Sequence, residues 1–176
     1  MAITIVMLFG LSSCQKATED LKPNFDVTLP DFNVTLPPLL VVLPVELPLS
    51  PQTSNFNLDS LVKANTGGAF GASSVTSVKV KKLTITATNA DQNNNLSNFE
   101  SARFALSSNT NTTPVEIASF TFPDTYTTTK SAEPENSPEL LSYLNGTQLT
   151  YHTYGKGRRT TNKELNLVIS IILSTR

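Results

Sequence analysis

Tryptophan is absent from this chain, cysteine and histidine occur once each, and charged residues make up only 15% of the 176 positions. A single thiol closes no internal disulfide, so the fold must rest on its apolar core. One histidine offers no zinc cluster, and no CxxC or HExxH spacing occurs. Without tryptophan, any stacking platform for a sugar must come from the 4 tyrosines. The charged fraction lies well below the usual quarter, and 13 basic against 14 acidic residues leave a net charge of −1. Nucleic-acid binding needs a wide basic surface, so that partner is not expected. Gly67-Gly68 and Gly71 lack a following Lys-Ser/Thr, so no phosphate loop and no cofactor are implied.

The length allows one ordinary domain with an extension. Residues Ala2 to Leu11 form an apolar stretch, too short to cross a bilayer, and it runs into Leu11-Ser12-Ser13-Cys14. No Lys or Arg precedes it. This stretch resembles the lipobox signal peptide of bacterial lipoproteins, an apolar h-region followed by small residues. The resemblance implies that residues 1–13 are removed and that Cys14 carries a lipid that holds the protein on a membrane. Residues 14–24 then form a tether. Its Gln15-Lys16-Ala17-Thr18-Glu19-Asp20 run resembles the charged stretch of exported Bacteroidota lipoproteins, which implies an outer-membrane or cell-surface location.

A seven-residue repeat follows. Phe25-Asp26-Val27-Thr28-Leu29-Pro30-Asp31 is echoed by Phe32-Asn33-Val34-Thr35-Leu36-Pro37-Pro38, then loosely by Leu39 to Val45. Proline fixes φ, lacks a donor and pushes its predecessor to extended geometry, which excludes a helix or a central strand. Residues 25–52 therefore read as a Pro-rich extended arm, either a stalk or a set of docked edge strands. Burying each aliphatic side chain is worth about 1.5–3 kcal/mol, so residues 39–47 should pack on their own domain or on a neighbouring molecule. The second case would be strand addition.

Residues 53–176 read as an all-β domain. Val78 and Val80 face one way, as do Leu83, Ile85 and Ala87, and the Lys81-Lys82 pair between them shifts the phase by one, which predicts a β-bulge. Ala102 to Leu106, Val115 to Phe122 and Leu149 to Thr153 are further strands, the last closed by a Gly155-Lys156-Gly157 turn. Leu165, Leu167, Ile169, Ile171 and Leu173 alternate in the clearest strand. One short helix is expected after a Ser137 cap, with Pro138 and Glu139 in its first turn and Asn145-Gly146 as the stop. The fold class is an antiparallel β-sandwich, immunoglobulin-like or jelly-roll-like.

Candidate contacts are few. His152 shares a strand face with Tyr154, and Lys156, Arg158 and Arg159 form the one basic cluster. These five are the candidate ligand residues. Asp91, Asn93 and Asn95 alternate like the start of a calcium loop, but Leu96 and Ala102 stand where an EF-hand needs Gly and Glu. No nucleophile elbow accompanies His152, so no catalytic residue and no enzyme activity are expected. The expected role is binding or scaffolding at the cell envelope. Assembly of a surface filament or envelope complex by strand exchange through residues 25–51, by self-association or with another envelope protein, is one alternative. A glycan-binding module is the other.

Overall fold

The computed structural model describes residues 24–176. The expected signal peptide, Cys14 and the tether up to residue 23 lie outside the described residues. The described chain forms β1 (Phe25–Thr28), β2 (Phe32–Leu36), β3 (Leu47–Pro48), β4 (Gln52–Asn55), α1 (Leu58–Asn65) and β5 (Val78–Ala87). Then come β6 (Phe99–Ser108), β7 (Val115–Thr121), β8 (Thr129–Ala132), α2 (Leu141–Leu144), β9 (Gln148–Gly157) and β10 (Leu165–Thr175).

Two antiparallel sheets pack as a sandwich. In the first, β1 and β2 lie end to end along β10, which pairs with β5, which pairs with β8. In the second, β3 and β4 lie along β9, followed by β6 and β7. Counting β1 with β2 and β3 with β4 as one strand position each, the chain changes sheet at every step except β6 to β7, the only successive strands among the described residues that pair side by side. That wrapping is a jelly roll. An immunoglobulin sandwich would pair successive strands within its ABED and CFG sheets.

The inward faces explain the strands. Leu165, Leu167, Ile169, Ile171 and Leu173 are all buried, with half-exposed residues between them. On β5, Lys82 lies opposite Ile172 and Val80 opposite Leu173, so Lys81 is the extra residue that the phase slip predicts.

Residues 25–52 are built into both sheets rather than set before a 53–176 domain, and β4 crosses that boundary. Their burial supplies the reason: Val27, Leu29, Phe32, Val34 and Leu36 reach the core. Phe25 lies opposite Thr175 and Phe32 opposite Ile169, so seven residues of the repeat cover six of β10. The surplus residue falls at the Pro30-Asp31 junction. An even advance along β10 keeps both repeats facing inward, and the prolines stand just past the strand ends, where no ladder donor is missed.

Among the described residues two α-helices occur where one was expected. The segment that starts at Ser137 does not open a helix, because its side chains serve β5. Ser137 Oγ accepts from the Val80 N–H (2.7 Å), and the Glu139 carboxylate accepts from the Val78 N–H (2.7 Å) and the Ser77 hydroxyl (2.6 Å). Burial opposes the charge of Glu139, but these donors prevail and hold its pKa below the usual range. The unexpected helix, α1, is capped by Asn57, whose side chain accepts from the Ser60 N–H, and it buries Leu58 and Val62. It stops at Gly67 and Gly68, whose φ values of +60° and +83° suit glycine. The expected Gly155-Lys156-Gly157 turn is part of β9.

Candidate functional site

Three loops meet at one end of the sandwich: residues 88–98 between β5 and β6, 122–128 between β7 and β8, and 158–164 between β9 and β10. Side chains short enough to bond their own backbone shape the first loop. Asp91 Oδ1 accepts from the N–H groups of Asn93 and Asn94 and from Asn94 Nδ2, each at 2.9 Å. Asn95 and Asn98 cap each other across a single 3-10 turn. Buried amides then stitch loop to loop. Asn94 Oδ1 accepts from the Asn162 N–H, and Asn98 Nδ2 donates to the Thr160 carbonyl, both at 2.9 Å.

The two arginines complete the framework. Arg158 donates to the carbonyls of Ser97, Pro123 and Phe122. Arg159 donates to the Ser97 carbonyl and hydroxyl and meets Asp124 at 2.6 Å. These two members of the basic cluster hold three loops together. Burial of the loop carbonyls demands donors, and a guanidinium supplies several in a fixed fork.

A polar cleft of about 820 Å³ opens among these loops, lined by Gln92, Asn93, Thr125, Tyr126, Arg159 and Asn162, among others. Tyr126 is 50% exposed, which leaves ring surface free for a ligand. Amide, hydroxyl and carboxylate groups surround it, so the cleft can both donate and accept hydrogen bonds around one aromatic ring.

The residues singled out in the sequence divide between this cleft and the outer face of the second sheet. Tyr154 lies on that face under the Arg103 guanidinium, 4.0 Å from the ring centroid, and Arg103 also binds Glu46 at 2.8 Å. One face of the Tyr154 ring is therefore already covered. Lys156 pairs with Glu100 at 2.8 Å. His152 Nε2 lies 2.8 Å from the buried Ser107 hydroxyl. That contact supplies two members of a nucleophilic triad, but among the hydrogen bonds of the described residues no carboxylate orients the ring.

The calcium reading of Asp91, Asn93 and Asn95 meets oxygens that are already engaged. Asp91 Oδ2 pairs with Lys163 Nζ at 2.7 Å, and Asn95 Oδ1 accepts from the Ser97 and Thr127 N–H groups. The Lys163 and Asn94 hydrogen bonds hold the Asp91 carboxyl well below the usual carboxylate range. Among the described residues, no group of three His, Cys, Asp or Glu side chains is placed to hold a metal ion.

The cleft draws on residues more than 60 positions apart, such as Asn93 and Asn162, and only the fold brings them together. Asn93, Asn95 and Arg159, singled out in the sequence, line the cleft, and Tyr126, an aromatic inside a polar turn, is a further local signal.

No protein-family model matches the chain, and no curated protein matches it. One solved structure, described as "Crystal structure of decameric BFDV Capsid Protein", is similar at 9% identity over 88% of this chain and 99% of that chain, with a TM-score of 0.37.

Proposed function

We propose that this protein is a non-catalytic binding module of the cell envelope, held at the outer membrane or cell surface by a lipid on Cys14, and that its loop cleft takes a glycan. One juxtaposition supports the glycan. The exposed ring of Tyr126 lines the same cleft as Gln92, Asn93, Asn162 and the Asp124–Arg159 pair. A sugar presents hydroxyls that donate and accept together, and C–H faces that stack on an aromatic ring. A cleft that mixes amides, an acid and a guanidinium around a tyrosine matches both demands. The loops are held by buried amides, so the site is formed before the ligand arrives.

A glycan array tests the cleft. Retention of a saccharide by the protein, and its loss in Tyr126→Ala, is the expected result. No retained glycan, or retention indifferent to Tyr126→Ala, overturns the reading. The anchor is tested separately by metabolic labelling with a palmitate analogue, which Cys14→Ala should abolish.

Strand exchange through residues 25–51 is the second reading. Its support is the position of β1 and β2 as an edge pair on β10, which two copies could trade without losing a ladder bond. A mass that grows with concentration supports it, and a constant monomer mass counts against it.

A further inference from the structure

The strand β9 points Leu149, Tyr151 and Thr153 into the core, and the next two inward positions are Gly155 and Gly157. Side-chain volume therefore falls to nothing toward the end of the sandwich that carries the loops. A Cβ at Gly157 would strike the Leu39 side chain, so Leu39 fills that gap. A Cβ built at Gly155 would meet no atom of the described residues within 4 Å. Gly155 has no positive φ, so its backbone makes no demand for glycine. The missing side chain leaves space.

That space is a cavity of about 250 Å³ between the two sheets and the crossover from β2 to β3. Ile85 and Leu167 wall it from one sheet, Ala102 and Phe104 from the other, and among the described residues no charged side chain lines it. An apolar cavity of roughly 150 Å³ already stays dry and admits benzene, and this one is larger. Its cover is irregular chain, residues 37–46, clasped by the paired bonds between Leu39 and Thr161 (2.7 and 3.0 Å). Beyond that clasp, Leu40 is 78% and Val41 64% exposed.

From this geometry we infer that the cavity under the crossover is a binding site for a single aliphatic chain, such as the tail of a fatty acid, whose head group stays outside. The site is separate from the polar cleft and does not depend on the glycan reading. An apolar lining supplies burial and no head-group recognition, so tail length governs affinity. The exposed aliphatics of the crossover give the tail an apolar approach.

The test is calorimetric titration of the purified protein with dodecanoate and with dodecanol below their aggregation limits. Saturable binding of one molecule per chain is expected, with the two ligands within about threefold of each other. Gly155→Leu and Ala102→Leu, at paired positions on β9 and β6, each fill the space from the second sheet. Each folded variant should weaken binding by about tenfold or more, with the melting temperature held or raised. Leu40→Ser with Val41→Ser should leave affinity within about threefold. The inference is overturned if neither ligand saturates, or if a folded Gly155→Leu or Ala102→Leu variant binds as the parent does. It is also overturned if dodecanoate binds and dodecanol does not, or if the double serine variant alone abolishes binding, since both would place the ligand on the surface.

Discussion

The rings of Phe32 and Tyr151 lie nearly parallel, with centroids 4.1 Å apart and planes 12° apart. Phe32 belongs to the second copy of the heptad repeat and Tyr151 to the strand that carries Gly155, so this stack joins the two sheets through the core. Burial alone pushes the Tyr151 hydroxyl up to about 12.

Phe32→Ala should therefore be costly. Loss of a buried ring with its cavity is worth about 3–5 kcal/mol, against less than about 2 kcal/mol for Phe25→Ala at the half-buried equivalent position. Urea unfolding of the two variants measures the difference. Equal losses would mean that the two copies of the repeat are energetically alike.

The Asp91–Lys163 pair predicts a pH dependence. The folded-state carboxyl titrates below its unfolded value near 4, so the stabilisation is present above about pH 4 and fades as pH falls below it. At pH 7 the parent should melt higher than Asp91→Asn, and the gap should close as pH drops below about 4. A gap that stays constant down to pH 2 would contradict this linkage.

Arg158→Ala removes donors from three loop carbonyls and should cost about 1–3 kcal/mol. Amide exchange should accelerate in residues 94–98 and 122–127. Lys156→Ala removes only an exposed ion pair with Glu100 and should change stability by less than about 1 kcal/mol. Similar melting temperatures for the two variants would show that the basic cluster is all surface.

Leu40→Ser with Val41→Ser alters side chains that stand in solvent, so stability should move by no more than about 0.5 kcal/mol. Binding of a hydrophobic dye should fall. A clear loss of stability would mean that these residues pack on something in solution.

What was legible in the sequence was whatever had a period. The alternation of β10 and the bulge at Lys81 follow from side chains that must face alternate sides of a sheet, so the apolar pattern records them directly. Signals with two physical meanings were harder. Glycine marks turns, but Gly155 and Gly157 sit inside a strand, where their missing side chains make room for Leu39 and a cavity. Ser137 looks like a helix-capping residue yet accepts from β5, and Glu139 divides its carboxylate between β5 and the Leu141 N–H of α2, because an uncovered strand edge competes for the same oxygens. The proline-bearing repeat allowed either a stalk or an edge, and burial of Val27 and Val34 decides for the edge. α1 carried a cap, a first-turn acid and a glycine stop, but its eight residues hold only two fully buried side chains, too few for a helical period to stand out. The loop cleft was the least legible feature, since Asn93, Asp124 and Asn162 come to line one cleft only after the sandwich has closed.

The heptad repeat has one more consequence. Each unit spends seven residues to advance six along β10, so sliding the chain by a whole unit would return every aliphatic side chain to an inward slot. Phe32 would then take the place of Phe25, and the loose third copy, Leu39, Val41 and Leu43, would take the places of Phe32, Val34 and Leu36. Hydrophobic pattern alone is degenerate between these two alignments, like a vernier with two coincident marks. The aromatic partner across the core breaks the tie: only a ring at the second position can lie flat on Tyr151.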